Sequence, residues 1–302
     1  MFDGLLVEQI RGDEEIAGML ARYMGQPAFF FQKAPPDVDD GWEKPTFPRV
    51  NYSIDMRYDP ERKVGGVLTV VIHCTAESRY MPEDIERRFN ELISGTFYTN
   101  RAGETACAIW NRSEGFLGAQ KDRRRSRSGD TSPEVFGIVM SFDLLQFPKQ
   151  ITTDPDPILG LNLWTRRHFP EMAVIAHEQM PGAVWKPTDE NPAIYWRFEG
   201  SSLGQASYAV NWYTGQFAGH IIAVSVTERN RWIKATVERL QLDGEVVLTD
   251  ESPMLARQIA IRHSADPLRE GQLLLTGQYG VLAQHRRETA QMPLNHPHFN
   301  RR

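Results

Sequence analysis

The densest cluster of chemically useful side chains is a run of five cations within seven residues of a polar loop. Its members are Lys121, Arg123, Arg124, Arg125 and Arg127. Each can pair with a nucleic-acid phosphate or with a carboxylate on a neighbouring subunit. A third interpretation is a solvated hairpin loop, because charge runs commonly form solvated or interacting surfaces. No aromatic residue is interleaved, which argues against a stacking platform for single-stranded bases; the run favours subunit docking or solvation.

A second polar segment follows Leu282 and extends to the C-terminus. It contains His285, Arg286, Arg287, His296 and His298. Histidines can bind a metal, but no further ligand of suitable spacing follows them. Such polar segments commonly order on a neighbouring molecule. We therefore predict an extended arm at residues 283–302 that contacts another subunit, and no metal site.

Four acids surround Trp42 in a proline-rich loop, and they could form a catalytic pair of carboxylates. They are Asp37, Asp39, Asp40 and Glu43. A catalytic pair needs a pocket that raises the pKa of one member. The loop over residues 34–48 favours a solvated acidic surface instead.

A metal-dependent nuclease would need several acids brought together on adjacent strands to hold Mg²⁺. Glu77 and Glu228 stand at ends of strands that we match between the two halves, and Asp55 and Asp59 are further candidates. No counterpart in the second half completes the set. The nuclease thus remains the weaker hypothesis.

Histidine and cysteine give no stronger signal for catalysis. His73 and His220 lie in or beside matched strands, where a lone histidine is usually structural. Cys74 and Cys107 each lie within an apolar run, which predicts small buried residues in a reduced compartment. No phosphate-binding loop or nucleophile elbow occurs. We predict no catalytic residue, no metal and no cofactor.

Composition indicates a globular chain with enough apolar material for two cores. The 302 residues are 41% hydrophobic and 24% charged, with a net charge of -5 and a pI near 5.9. A weakly acidic chain is not a general nucleic-acid coat. The N-terminus does not resemble a signal peptide, and no apolar run approaches the ~20 residues of a spanning helix. We expect synthesis and folding in a cytoplasm, without a membrane partner.

The first half alternates helical and strand-like patterns. We predict a helix over 5–24, in one or two pieces because Gly12 and Asp13 interrupt the pattern, and a helix over 81–94. Strands are predicted over 28–33, 49–58, 67–74, 106–110 and 136–145. Val50, Tyr52, Ile54, Met56 and Tyr58 recur at every second position, which is typical of a half-buried strand. Glycines 65 and 66 fall in the turn before the next strand. We therefore expect the strands over 49–58 and 67–74 to form an antiparallel pair.

The second half repeats this order with weak residue identity. We match 158–169 to the first helix, 183–187 to 30–33, 192–198 to 50–58 and 219–228 to 66–77. Residues 207–213 form a further alternating segment. A helical pattern over 232–240 and strands over 258–262 and 271–277 complete the unit. Two copies of one unit predict a pseudo-symmetric pair rather than a solenoid.

These patterns predict an α+β fold of two pseudo-repeated units. Each unit is an antiparallel sheet of about four to five strands packed by helices. The first unit spans 1–149 and the second, degenerate copy spans 158–282. A proline-rich linker over 150–157 joins them, and 283–302 form the C-terminal arm.

The order of helix, antiparallel strands, helix and two closing strands resembles the tail terminator, or tail completion, proteins of long-tailed phages, the minor tail protein U type. The resemblance rests on 5–24, the hairpin 49–74, the helix 81–94 and the strands 107–110 and 136–145. The stretch from Cys107 to Gly115 is also similar to that family. The likeness covers the first half more fully than the second.

The resemblance implies a hexameric ring that caps the finished tail tube and joins it to the head, with no catalytic residues. Its partners would be other copies of the chain and tail tube, sheath or neck proteins, with transient contact to genomic DNA. The location would be the virion, after assembly in a bacterial host's cytoplasm. The alternatives are a baseplate or tube-associated adaptor, a host-encoded adaptor, and a metal-dependent nuclease or cell-wall hydrolase.

Overall fold

The fold is described by a computed structural model for residues 2–57, 63–118, 134–177 and 180–282. The helices are α1 (Asp3–Gly12), α2 (Glu14–Met19), α3 (Pro82–Ile93), α4 (Pro157–His168) and α5 (Val226–Asp243). The strands before residue 148 are β1 (Arg22–Tyr23), β2 (Gln26–Pro27), β3 (Phe29–Phe31), β4 (Trp42–Glu43), β5 (Arg49–Asp55), β6 (Val64–Thr75), β7 (Thr96–Thr99), β8 (Thr105–Gly118) and β9 (Val135–Phe147). The later strands are β10 (Ala173–Val174), β11 (Val184–Trp185), β12 (Ala193–Ala206), β13 (Val210–Ile222), β14 (Glu245–Val247), β15 (Pro253–Ile261) and β16 (Leu273–Leu282).

Two large sheets share one strand order. The first is β11-β7-β8-β9-β6-β5-β3 and the second is β10-β12-β13-β16-β15-β14, while β2, β1 and β4 form a small third sheet. Without β11, the first sheet in reverse is β3-β5-β6-β9-β8-β7, which matches the second sheet strand for strand. In each sheet the first of these strands is short and parallel to its neighbour, and the other pairings are antiparallel. The predicted α+β fold of two units is therefore confirmed. We call the elements before residue 148 the first unit and those after residue 156 the second unit.

The sheets are wider than the predicted four to five strands, because short strands add to their edges. The strands without a prediction, β7, β10 and β14, have two to four residues each, which is too short for hydrophobic alternation to reveal them. That the two units are copies which superpose over 1–149 and 158–282 remains a prediction.

Helices cover one face of each sheet. In the first unit, apolar side chains of α1, α2 and α3 pack against alternate residues of β5, β6, β8 and β9. In the second, α4 and α5 pack in the same way against β12, β13, β15 and β16. Because successive side chains of a strand point to opposite faces of the sheet, every second residue lies in the core and the residues between them lie on the other face.

Local capping explains the helix boundaries. The pattern over 5–24 forms the second of the two predicted arrangements, two helices, because the Asp13 carboxylate accepts a hydrogen bond from the Ile16 amide (2.9 Å) and so begins α2. Helix α2 ends at Met19 rather than at residue 24, and Arg22 begins β1. Asp156 and Ser225 cap α4 and α5 in the same manner. Gly244, with a φ of 68°, ends α5 in the left-handed conformation that favours glycine.

One predicted match between the halves is wrong, and two further segments have other bounds than predicted. Residues 184–185 do not correspond to 30–33; they pair with β7 of the first sheet, while β10 lies beside β12 as β3 lies beside β5. The proposed strand over 219–228 ends at Ile222, because Ser225 caps α5 and draws the following residues into its first turn. Residues 207–213 are not a separate strand, but the turn and start of the β12–β13 hairpin.

Candidate assembly surface

The two units meet at an apolar joint. Buried side chains at this joint are Val64, Phe97, Cys107, Leu145 and Phe147 of the first unit and Ile175, Ala193, Tyr195 and Ile222 of the second. The first unit contributes them from β6, β7, β8 and β9, and the second from the end of β10 and from β12 and β13. The joint therefore brings the β7–β8–β9 side of one unit against the β10–β12–β13 side of the other.

Strand pairing continues across this joint. Trp185 of β11 pairs with Phe97 of β7, and the Thr99 amide donates to the Ala183 carbonyl (2.8 Å). The second unit thus covers the outer edge of the first sheet and satisfies backbone groups that an open edge would expose.

Buried polar groups add specific contacts at the joint. The Tyr195 hydroxyl donates to the Pro148 carbonyl (2.9 Å) and accepts from Gln150 Nε2 (3.1 Å). Arg269 pairs with Asp143 at 2.6 Å, and the Asp143 side chain is 3% exposed. Sequence patterns did not find the Arg269–Asp143 contact, because the partners are 126 residues apart and neither occurs in a motif.

Burial shifts the pKa values of groups at the joint. It raises the pKa of Cys107, raises that of Tyr195 to about 12, and lowers that of the Lys186 ammonium. The Lys186 ammonium donates to the Glu91 carbonyl at 2.9 Å. Cys107 and Cys74 are both free and buried, as predicted, and an elevated thiol pKa makes each a poor nucleophile at neutral pH.

In the described part of the chain, no helix covers the second face of the first sheet. Ser53, Thr69, Ser141 and Arg112 lie directly opposite one another across β5, β6, β9 and β8. Beside this row Phe116 lies over Gly137 and contacts the ring of His73 at 5.5 Å. Along this row the face presents three small uncharged side chains and the cation Arg112. Farther along the strands, Cys107, Asp143 and Leu145 of the same face are buried against the second unit.

The two cationic or polar segments predicted from the sequence follow the ends of β8 and β16. Gly118 pairs with Val135 at the end of β8 and β9, so the cationic run belongs to the connection between them. Lys121, Arg123, Arg124, Arg125 and Arg127 themselves lie outside the described residues. The same holds for His285, Arg286, Arg287, His296 and His298, which follow the pair formed by Leu282 and Val210.

The acidic loop around Trp42 is a hydrogen-bonded structure. Asp37 pairs with the buried Arg49, and Asp39 accepts from the Tyr23 hydroxyl at 3.0 Å. Glu43 accepts from the Gly25 amide at 3.1 Å. These contacts fold the loop onto β1 and β2 and give three of its four acids a structural partner.

The candidate nuclease acids that the structure describes lie in different elements, with Asp55 at the end of β5, Glu77 in the turn after β6 and Glu228 in α5. Asp55 pairs with Arg57, and Glu228 lies in the first turn of α5 beside Arg231 (3.0 Å), whereas Asp59 lies outside the described residues. Within the described ranges, no group of three or more histidine, cysteine, aspartate or glutamate side chains could hold a metal ion. No helix in those ranges is long and apolar enough to span a membrane.

Comparison with protein-family models and with curated proteins gives no match. The arguments for function therefore rest on the sequence and on the geometry of this chain.

Proposed function

We propose that this chain is a structural subunit of a phage or phage-like tail: a ring-forming tail terminator or neck protein that caps the tail tube and joins it to the head. The observation that carries the proposal is the pair of sheets with one strand order, packed at a common joint. Two equivalent units joined by one contact are suited to rotational assembly, because the same contact can recur. The role needs surfaces and edges rather than a reactive group.

The part of this face outside the joint is consistent with a ring around DNA. Its row of Ser53, Thr69 and Ser141 offers small uncharged side chains. Arg112, the cation of the row, is paired with Glu114 at 3.3 Å, so the row would bind phosphate weakly. A channel wall of this type would let DNA pass without holding it. The partners in this proposal are other copies of the chain, neighbouring tail proteins and, transiently, genomic DNA.

A baseplate or tube-associated adaptor is the second candidate, since it would use the same edges and arms. Labelling the chain in phage or phage-like particles, and imaging them by electron microscopy, separates the two. Label at the head-proximal end of the tail is the expected result. Label at the distal end or along the tube would favour the adaptor over the terminator. Unlabelled particles would contradict both hypotheses.

The proposed protein has no enzymatic activity. Asp55 and Glu228, two of the four candidate acids for a nuclease, lie in different elements and are each paired with an arginine. Purified chain with Mg²⁺ should therefore leave single- and double-stranded DNA intact. Cleavage that Glu77→Ala or Asp55→Ala removes would make the nuclease the better hypothesis.

The cationic run is proposed to contact a neighbouring subunit rather than DNA. In the second unit, the corresponding β15–β16 connection reaches the other unit through Arg269 and Asp143. We predict that a variant with Arg123, Arg124, Arg125 and Arg127 changed to serine fails to assemble. It should keep the thermal unfolding of the isolated chain, because exposed charges add little to stability.

Native mass and DNA retention of this fourfold variant separate the interpretations. Normal assembly with weaker DNA retention would place the run in the channel, and the salt dependence of DNA binding would then fall by about 0.9 for each phosphate that the run no longer neutralises. If neither property changes, the run is a solvated loop. Deletion of 284–302 provides the parallel test for the proposed arm.

A further inference from the structure

The second half of β8 has no strand on its outer side in the described part of the chain. Its outer neighbour β7 pairs with it only as far as Ala108, whereas β8 and β9 stay paired as far as Gly118. The Trp110 amide still donates to Ser94 Oγ at 3.2 Å. Residues 111–118 beyond it form an open edge, whose outward amide and carbonyl groups can accept a further strand.

A groove of about 650 Å³ lies along this edge, between β8, β9 and the start of α3. Gly115 and Leu117 pair with Ile138 and Phe136 of β9, whose side chains lie on the helix-covered face, so both face the α3 side. Leu117 is 76% exposed, and a Cβ added at Gly115 would have its nearest neighbour 3.9 Å away. The floor of the groove is therefore apolar and uncovered.

The charged side chains that line this groove are both acidic. They are Glu83 and Glu86 in the first half of α3. Among the described residues, neither carboxylate takes part in an ion pair. Unpaired negative charge beside an apolar floor favours a segment that carries both cations and apolar side chains.

The C-terminal arm has this composition. Residues 283–302 contain four arginines and one glutamate, which gives a net charge of +3 with neutral histidines. Leu294 and Phe299 add large apolar side chains, which the cationic run over 121–127 lacks. The arm therefore complements the groove better than the run does.

The beginning of the arm can also pair with the open edge. The stretch 284–292 contains no proline, so each of its residues has an amide that can donate to a strand, and it is long enough to span residues 111–118. Arg286 and Arg287 are adjacent, and adjacent side chains of a strand point to opposite faces. One of the two arginines therefore faces the acids of α3 in any register.

We propose that residues 284–292 of one chain add to the open edge 111–118 of a second copy as an outer strand, with an arginine of the arm against Glu83 and Glu86. This inference rests on the ring assembly of the proposed function and names the contact by which one chain holds the next. Each chain carries one arm and one groove, so the contact can pass from chain to chain around a closed ring.

Reversing the charge on each side of this contact gives two full-length variants. The groove variant carries Glu83→Lys and Glu86→Lys, and the arm variant carries Arg286→Glu and Arg287→Glu. Each alone should be monomeric at concentrations at which the wild type is assembled, because its arm and groove carry like charges. An equimolar mixture should restore assemblies with equal numbers of the two chains, because every arm then finds a groove of opposite charge.

Native mass spectrometry of the variants, separately and mixed, is the test. The matched control carries Glu8→Lys and Glu238→Lys, which make the same change in charge at exposed positions of other helices, and it should assemble like the wild type. Circular dichroism of the groove variant should be unchanged, because neither Glu83 nor Glu86 is buried. The arm variant leaves both units unaltered, so it tests the contact independently of any effect on folding.

Hydrogen–deuterium exchange tests the added strand itself. Amides in residues 111–118 should exchange more slowly in the restored mixture than in either variant alone, because a new strand pairs with the outward ones. Unchanged exchange across this stretch would overturn strand addition.

The remaining outcomes separate the contact from the function. Variants that assemble like the wild type, or that stay monomeric when mixed, would overturn the arm–groove contact while wild-type assembly keeps the ring. A monomeric groove variant beside an arm variant that assembles normally would replace the arm with the cationic run as the occupant. A wild-type chain that is monomeric at every concentration would remove the ring and this contact together.

Discussion

Phe147→Ala should lower the free energy of unfolding by about 3–5 kcal/mol, the usual cost of removing a fully buried aromatic side chain. Phe147 is 0% exposed at the joint. Its ring contacts those of Phe97 (5.4 Å) and Tyr195 (5.1 Å), one from each unit. The substitution removes these contacts and leaves a cavity between the sheets.

The joint also makes the two units unfold together. Wild-type chain should show one cooperative transition in calorimetry, whereas Phe147→Ala should lower the transition temperature and separate two transitions. Phe31→Ala is the matched control, because this phenylalanine is half exposed and should cost about 1 kcal/mol or less. Equal effects of the two substitutions would show that the joint does not couple the units.

Acidification should destabilise the chain through His220, which is fully buried. Its Nδ1 lies 3.0 Å from the Pro267 carbonyl and donates to it when the ring is neutral. Burial and, to a smaller extent, the nearby Arg197 and Lys63 lower the pKa of His220 to about 3, against smaller opposing effects of the hydrogen bond to Pro267 and of Asp266. The native state therefore favours the neutral ring.

The direction of the pH effect follows from this lowered pKa. The unfolded chain binds a proton near the ordinary histidine pKa of about 6.5, so the stabilisation is complete above that pH and is lost as the pH falls towards 3. Between pH 7 and pH 4.5 the loss from this one group is about 2–3 kcal/mol. His73, whose pKa burial lowers to about 4, acts in the same direction.

Chemical denaturation of the wild type and of His220→Gln at pH 7.5 and pH 4.5 checks this prediction. Glutamine can donate a hydrogen bond but does not titrate, so the variant should lose about 2–3 kcal/mol less than the wild type over this range. An identical pH dependence in the two proteins would contradict the assigned role of His220.

Alternation and spacing predicted the strands that form the centre of the first sheet. The pattern at Val50, Tyr52 and Ile54 indicated a half-buried strand, and β5 over Arg49–Asp55 buries Val50 and Tyr52 and half-buries Ile54 on the helix-covered face. The helix predicted over 81–94 is α3, with Ile85 and Phe89 in the core. These elements were predictable because their signal repeats within a few residues.

The joint could not be predicted in this way. Two-residue β11 has no periodicity, and its pairing with Phe97 depends on where the second unit lies. Asp143 and Arg269 are charged residues without a motif, and their contact exists only after both sheets have formed. The candidate assembly surface could therefore be found only from the tertiary packing, whereas the cationic run and the C-terminal arm were predicted from composition alone.

Native mass measurement of the purified wild-type chain, combined with electron-microscopy class averages, tests the central claim most directly. The account predicts a closed ring with a central channel and a mass six times that of the 34.5 kDa chain. A closed ring of three chains would still contain six units, because each chain has two. That result would support ring assembly and change only the expected number of chains. A monomer at all concentrations, or a dimer closed by a two-fold axis, would contradict ring assembly.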